Sequence, residues 1–223
     1  MKKLPKIIIH NSISLDGSLI GFMPDMVLHY RIAGEYKPDI HLIGSTTIIS
    51  GIEMFGEEVP AEEPGDFRKP ERVSALPFWV IIDTGGKLKG LLHTCRRFEF
   101  CRDVIILVSE STPKDYFSHL VERNYDFITT GKKNVDISLA LSVLAEKYRI
   151  NTVLTDTGMI LGNLLINLNL VSEISLLIHP LIIGESAYRI FDNVENQLSL
   201  KLLKREEFGN GLVWLVYELQ TTA

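Results

Sequence analysis

The 223-residue sequence has little of what marks several large classes of protein. It holds only two cysteines, Cys95 and Cys101. They lie close together in a charged segment with no His or Cys cluster at metal spacing, which argues against a disulfide framework or a zinc site and fits a reducing compartment. No stretch approaches the run of about 18 uncharged apolar residues that a membrane span needs. Met1-Lys2-Lys3 could begin a signal peptide, but Pro5, Lys6, His10 and Asn11 interrupt the apolar stretch behind it. Basic residues are not in excess: 23 Lys and Arg stand against 28 Asp and Glu, a net charge of −5. That balance argues against nucleic acid and for a small-molecule partner. The six histidines lack HExxH spacing, and the H-x-E with P-C-x-x-C signature of zinc deaminases is missing. No Ser-His-Asp triad is visible, and without G-x-G-x-x-G an ordinary Rossmann domain is disfavoured.

What is present is the composition of a globular chain. With 46% hydrophobic and 23% charged residues, a large core is attainable without staples. The expectation is one soluble cytoplasmic α/β domain over residues 1–223, because single α/β domains often reach this length.

Strand and helix signals alternate along the chain. Ile7 to Ile9 is a β-branched run opening into the Ser14-Leu15-Asp16-Gly17 turn, and Met26 to Tyr36 reads as a helix. Ile40 to Ile43 is an apolar strand stopped by Gly44 before a helix over Thr46 to Met54. Between Glu57 and Pro77 the prolines Pro60, Pro64, Pro70 and Pro77 predict an irregular surface loop, a candidate mobile flap. Further strands are expected at Phe78 to Ile82, Val104 to Val108, Tyr125 to Thr129, Thr152 to Leu154 and Ile174 to Ile178. Helices are expected after Thr112-Pro113, over Asp136 to Tyr148, and from Met159 through Leu168. Leu198 to Lys204 and Leu212 to Leu219 flank Gly209-Asn210-Gly211, which predicts a hairpin that adds an antiparallel edge to a mostly parallel sheet.

Three junctions carry the functional argument: Gly44-Ser45-Thr46-Thr47, Asp83-Thr84-Gly85-Gly86 and Thr155-Asp156-Thr157-Gly158-Met159. A glycine lets backbone approach a ligand, hydroxyls donate to phosphate oxygens, and a following helix presents unpaired N–H groups. Each alone reads equally as a turn or an N-cap. Together, at the carboxyl ends of strands in an open α/β sheet, they suggest a cleft for a phosphate-bearing nucleotide.

Several segments resemble the reductase domains of riboflavin biosynthesis. They are Asn11-Ser12-Ile13-Ser14-Leu15-Asp16-Gly17, Leu42-Ile43-Gly44-Ser45-Thr46-Thr47, Val80-Ile81-Ile82-Asp83-Thr84, and the stretch from Val153 to Gly184. The last includes Leu164-Leu165, Leu170-Val171-Ser172-Glu173 and His179-Pro180-Leu181-Ile182-Ile183-Gly184. The resemblance implies a three-layer α/β fold like that of dihydrofolate reductase: a mixed, mostly parallel sheet flanked by helices, with the C-terminal antiparallel hairpin.

The same resemblance implies NADPH as hydride donor. Gly44, Thr46 and Thr47 would face its phosphates, Asp83 and Thr84 would lie by the adenosine ribose, and Thr157, Gly158, Met159 and Leu161 would form the second phosphate loop. Lys87 is a candidate for the 2′-phosphate. Asn11 and Asp16 would face the substrate, with Glu173 as a second substrate group. The implied reaction reduces a ribosylamino-pyrimidine 5′-phosphate to its ribitylamino form, and the implied assembly is a homodimer. Two positions depart from the family pattern. Thr157 stands where a glycine is usual, so it either donates to phosphate or makes the cofactor sit shallower, and Ser172-Glu173 stands where Asp-Glu is usual. Arg31, Arg68, Lys69, Arg72, Arg96 and Arg97 are available for a substrate phosphate but are scattered and read as solvated charges. Other readings are a reductase of the same fold acting on a pterin or another imine, and a non-catalytic nucleotide-binding regulator. The apolar helix from Met159 could be core or a partner surface, with core preferred.

Overall fold

Why the described residues form nine strands and six α-helices follows from the alternation of short β-branched runs with amphipathic segments. A computed structural model describes residues 4–55 and 59–220. Met1-Lys2-Lys3, where a leader was considered, and Glu57, where the proline-rich loop was expected to begin, lie outside the described residues. The chain divides into two compact units, the first comprising Pro38–Val153 with Leu4 and Pro5, the second Lys6–Lys37 and everything from Leu154 onward.

The first unit contains β2 (Ile40–Gly44), β3 (Phe78–Ile82), β4 (Val104–Val108) and β5 (Asp126–Thr129), in the order β5-β4-β3-β2 and all parallel. Parallel strands must be linked by crossovers, and α2 (Ser45–Phe55), α3 (Leu92–Arg97) and α4 (Lys114–Glu122) supply them; α5 (Ile137–Tyr148) follows β5. Every residue of β4 is buried, as a central parallel strand requires. Its Val104, Ile106 and Val108 join Ile43, Ile81, Leu92 and Tyr116 in one cluster that also takes up Cys95 and Cys101, both free thiols. Burial pushes both thiols up to about 12, so they act as small hydrophobes.

In this unit one expectation is met in outline and another is corrected. From residue 59 to 77 the proline-rich segment is the irregular surface loop expected, with one short turn in it. Pro64–Phe67 forms a 3-10 turn with proline at its start, the one helical position where a missing N–H costs nothing. Arginines then strap the segment down. Arg97 makes a two-pronged contact with Asp66 at 2.9 and 2.5 Å, Arg123 does the same to Glu62 at 2.7 and 2.7 Å, and Arg72 donates to the Phe98 and Cys101 carbonyls. Arg96, by contrast, is not the solvated charge expected. It is 3% exposed, pairs with Asp103 at 2.9 Å, donates to the carbonyls of Asp66, Arg123 and Asn124, and lies 3.8 Å over the Tyr125 ring. Helix α3, which carries Arg96 and Arg97, was not anticipated, because its six residues are too few to show a helical period.

The second unit contains β1 (Lys6–Ser14), α1 (Met26–Glu35), α6 (Met159–Asn167), β7 (Glu173–His179), β8 (Ser199–Glu207) and β9 (Val213–Gln220); the chain enters it from the first within β6 (Thr152–Thr155). The strand order is β6-β1-β7-β9-β8. β1 and β7 run parallel, while β9 is antiparallel to both β7 and β8, so the hairpin expected around Gly209-Asn210-Gly211 is present. Asn210 sits at φ 62 in its turn, a conformation asparagine tolerates better than most residues. Leu28, Ile32, Leu177, Trp214 and Val216 form the core beneath α1. Helix α6 contributes Leu161, Leu165 and Ile166 to the interior but leaves Ile160, Leu164 and Leu168 exposed. It is therefore core on one face and an apolar stripe on the other.

Candidate functional site

In the first unit, register decides which loops meet. Gly44 lies beside Ile82, Ile82 beside Leu107, and Val108 beside Thr129. The four strands finish level, so the segments that follow them open on one edge. α2 begins at Ser45, directly after Gly44, and its first-turn N–H groups lack helical partners. Thr46 is exposed there and Thr47 half-buried. Asp83 is 1% exposed, and its two carboxylate oxygens accept from the N–H groups of Lys87 and Leu88, each at 2.9 Å. Its evident task is to hold the turn after β3, leaving half-buried Thr84 as the residue displayed. Gly86 permits that turn: at φ +68 a side chain would be strained, and a Cβ would come 2.9 Å from the Tyr116 ring.

A further junction at this edge escaped the sequence reading. After β4, the Ser109 and Ser111 hydroxyls lie 3.0 Å apart and both lie within hydrogen-bond reach of the Lys133 carbonyl, at 3.1 and 2.9 Å, so one donates to that carbonyl while the other donates to it or to its neighbour. This ties the loop of Lys132 and Lys133 to the same edge. The signal was a hydroxyl cluster directly behind a fully apolar strand, the pattern already noted elsewhere. Lys87, Lys132 and Lys133 are exposed, and none has an ion-pair partner among the described residues, whereas Lys89 is taken up by Asp115 at 2.6 Å.

In the second unit, Ser14 at the end of β1 lies beside His179 at the end of β7. Asp16 follows Ser14. Its Oδ1 accepts from Ser14 Oγ at 2.6 Å and from the Ile183 N–H at 3.1 Å, and its Oδ2 accepts from the Gly184 N–H at 3.0 Å. These bonds, led by that of Ser14, hold the carboxyl down at about 2. Asp16 thereby pins the 181–184 turn to the end of β1. His179 Nε2 accepts from the Asp25 N–H at 3.0 Å, which anchors the start of α1.

Asn11 reaches the segment after β6. Its Nδ2 donates to the carbonyls of Asp156 at 3.0 Å and Thr157 at 3.4 Å. Two carbonyl partners fix which end of the amide is nitrogen, and Oδ1 is then left buried without a partner among the described residues. In a trans peptide the C=O and N–H point oppositely. Turning the Thr157 carbonyl toward Asn11 aims the Gly158 N–H away from Asn11, and a Cβ at Gly158 would meet nothing within 4 Å. Gly158 is the N-cap of α6 and, having no side chain, offers no side-chain cap to the helix start. Thr157 is 3% exposed: its side chain is turned inward rather than into that space. Met159 begins the helix, half-buried, and Leu161 is buried one turn in.

Glu173 is not brought to Asn11 and Asp16. It starts β7, beside Ile8, six residues before His179 and so roughly 20 Å from that end at about 3.3 Å per residue. There it pairs with Lys6 at 2.6 Å. Among the described residues no group of three or more His, Cys, Asp or Glu side chains could hold a metal ion, and no helix is long and apolar enough to cross a membrane.

The family model of the RibD C-terminal domain matches residues 5–214. Among solved structures, the chain is similar to a pyrimidine reductase-like protein from Corynebacterium diphtheriae, at 14% identity and a TM-score of 0.70, covering 98% of this chain and 93% of that one. It is similar to the riboflavin biosynthesis reductase Rib7 of Saccharomyces cerevisiae, at 18% identity and 0.67, covering 97% and 90%. A third is the diaminohydroxyphosphoribosylaminopyrimidine deaminase/5-amino-6-(5-phosphoribosylamino)uracil reductase of Thermotoga maritima, at 18% and 0.69; the match takes in 98% of this chain but 58% of that longer protein. No curated protein matches.

Proposed function

Because the chain belongs to the RibD C-terminal domain family, a family of riboflavin-biosynthesis reductases with the dihydrofolate-reductase-like fold, we propose that it is an NADPH-dependent reductase of a ribosylamino-pyrimidine 5′-phosphate. The observation that carries the cofactor half of this reading is the start of α6. Gly158 leaves open space and an uncapped helix end, while Asn11 turns the preceding carbonyls away.

That end of the second unit suits one phosphate group, with Gly158 and Met159 donating backbone N–H groups and Leu161 backing the turn from the core. Gly44, Thr46 and Thr47 at the α2 start suit another, and Thr84 suits a ribose hydroxyl. Lys87, with Lys132 and Lys133 exposed at the same edge, suits a 2′-phosphate. Bound NADPH supplies the hydride that the sugar C1′ of the ring-opened imine accepts. The protein's own contribution is alignment and the exclusion of water. Asn11 serves the substrate side in this reading through the Asp156 and Thr157 carbonyls that its Nδ2 holds, its Oδ1 being buried. Asp16 faces the substrate in this reading while its carboxylate holds the 181–184 turn, and Glu173, paired with Lys6 at the start of β7, lies far from it. A cytoplasmic homodimer fits this reading, with the exposed stripe of α6 as its contact.

The test is titration with NADPH and NADH, followed by the loss of nicotinamide absorbance when the diaminopyrimidine or aminouracil ribosylamino 5′-phosphate is added. Turnover with NADPH is the expected result. Binding without turnover would redirect the search to a pterin or another imine, or to a regulatory role. No binding of either nucleotide would overturn the cofactor assignment.

A further inference from the structure

The turn after β3 is held from within by its own backbone and from outside by α4. Its N–H groups can be followed one by one. Gly86 donates to the Asp83 carbonyl at 3.4 Å, Lys87 and Leu88 to the Asp83 carboxylate, Lys89 to the Gly86 carbonyl at 3.2 Å and Leu91 to the Leu88 carbonyl at 2.9 Å. Between Gly86 and Leu91 the Gly90 N–H is the one that goes outside the turn: it donates to His119 Nε2 on α4, at 3.3 Å. A backbone N–H is always the donor, so Nε2 is the acceptor and the ring hydrogen sits on Nδ1.

Helix α4 meets this turn with one face. His119 stands four residues after Asp115 and three after Tyr116, the spacings that share a helix face. Asp115 takes Lys89 at 2.6 Å, an exposed pair that adds little. The Tyr116 ring closes on Gly86, where a Cβ would come within 2.9 Å of it. The Tyr116 and His119 rings lie nearly parallel, inclined by 14° with centroids 6.1 Å apart, and both residues are buried. Burial, followed by the charge of Arg123, lowers the His119 pKa against the smaller opposing pull of Glu62. Near neutral pH the ring is therefore uncharged, and Nε2 keeps the lone pair that Gly90 uses.

In the cofactor reading above, on which this inference rests, the same turn carries Thr84 for the ribose and Lys87 for the 2′-phosphate. Lys87 stands three residues before Gly90, and its own N–H is bonded to Asp83. Its backbone is thus fixed on one side by Asp83 and on the other by His119. A lysine is a charge on a flexible stem, so where its ammonium can reach is set by where its backbone sits. We propose that His119 is a positioning residue for cofactor choice: by holding the Gly90 N–H it fixes the backbone that aims Lys87 at the 2′-phosphate, so that preference for NADPH over NADH depends on a buried side chain that does not itself meet the nucleotide. Asp83 supports the turn from below β3's end, and α4 supplies the contact that the turn cannot make for itself.

The experiment measures dissociation constants for NADPH and NADH by fluorescence titration in the wild type, His119→Phe, His119→Asn and His119→Gln, each also combined with Lys87→Ala. His119→Phe keeps a ring and loses the acceptor, His119→Asn stays polar but is shorter, and His119→Gln places an oxygen close to where Nε2 stands. The ratio of the NADH constant to the NADPH constant is expected to fall by about fivefold or more in His119→Phe and His119→Asn, the effect of one lost hydrogen bond. His119→Gln is expected to restore it. With Lys87→Ala in place the His119 substitutions are expected to leave the ratio unchanged, since both then act on one missing contact. In the nucleotide-free protein the Gly90 amide should exchange faster in His119→Phe than in the wild type. A general loss of stability would not move the ratio, and His119→Asn serves should His119→Phe fold poorly. An unchanged ratio or Gly90 exchange rate in a folded variant without the acceptor would overturn the proposal. So would a His119→Gln ratio as low as that of His119→Phe, or a fall that persists in the Lys87→Ala proteins. Equal affinity of the wild type for NADPH and NADH would overturn it while leaving a nicotinamide cofactor in place, whereas binding of neither would overturn the cofactor reading itself.

Discussion

Asn11 holds Asp156 by its backbone, not its side chain: the amide Nδ2 lies 3.0 Å from the Asp156 carbonyl and 3.4 Å from that of Thr157. Replacing Asn11 by Asp would set a carboxylate against two carbonyl oxygens. The expected loss is about 1–3 kcal/mol of stability, the usual cost of buried polar groups left without partners, seen as a lower urea midpoint. NADPH affinity is expected to fall by about tenfold, a change of about 1.4 kcal/mol, because the Gly158 N–H is no longer aimed.

Gly158 separates ligand binding from stability. Its φ is −67 and a Cβ there meets nothing within 4 Å. Gly158→Val should therefore leave the melting temperature nearly unchanged while abolishing measurable NADPH binding in a fluorescence titration. Gly131→Ala should do the reverse. Gly131 has φ +73 and its Cβ would lie 2.1 Å from the Asn134 carbonyl oxygen, so the melt drops while the α6 end is untouched.

Asp16 imparts a definite acid dependence. Its folded pKa, about 2, lies below the ordinary 3.8, so its stabilising effect is complete above the unfolded value and is lost as pH falls through the folded one. Asp16→Asn should melt earlier than the wild type at neutral pH, and the gap should close as pH falls from about 4 toward 2. A gap that stays constant over that range would contradict the bonding described.

Arg96 should be intolerant of lysine. The pair with Asp103, the three carbonyl contacts and the Tyr125 stacking all use the planar guanidinium, which an ammonium cannot reproduce. Burial pushes the Asp103 pKa up despite Arg96, so a lysine that reaches it less well leaves that carboxylate poorly compensated and the carbonyls without their donors. Arg96→Lys is expected to lose about 3 kcal/mol or more in urea unfolding.

The exposed stripe of α6 tests the homodimer. Light scattering of the wild type should report twice the 25.2 kDa chain mass, and Leu164→Asp should report the monomer with its circular dichroism retained.

Most elements were legible because their signals are local. β4 reads as a fully apolar run, the hairpin around Gly209-Asn210-Gly211 carries turn residues between two alternating strands, and α5 shows a broad apolar face over Asp136 to Tyr148. The family, too, was legible from short motifs. What escaped was either too short to have a period, as with α3, or depended on partners far along the chain, as with Arg96, which looked like one of several scattered cations.

By itself the sequence determined the alternation of strands and helices, the glycine and hydroxyl junctions at strand ends, and the kinship they carry, since each is written within a few adjacent residues. Only the tertiary structure decided what those residues do. Register put Glu173 at the start of β7 with Lys6 and turned Asp16 to the backbone of Ile183 and Gly184. Packing of α4 against the turn after β3 brought His119 to Gly90. These contacts join residues from 6 to 173 and from 16 to 184, and hydrogen bonds and charges act over a few ångströms of space, whatever their separation along the chain.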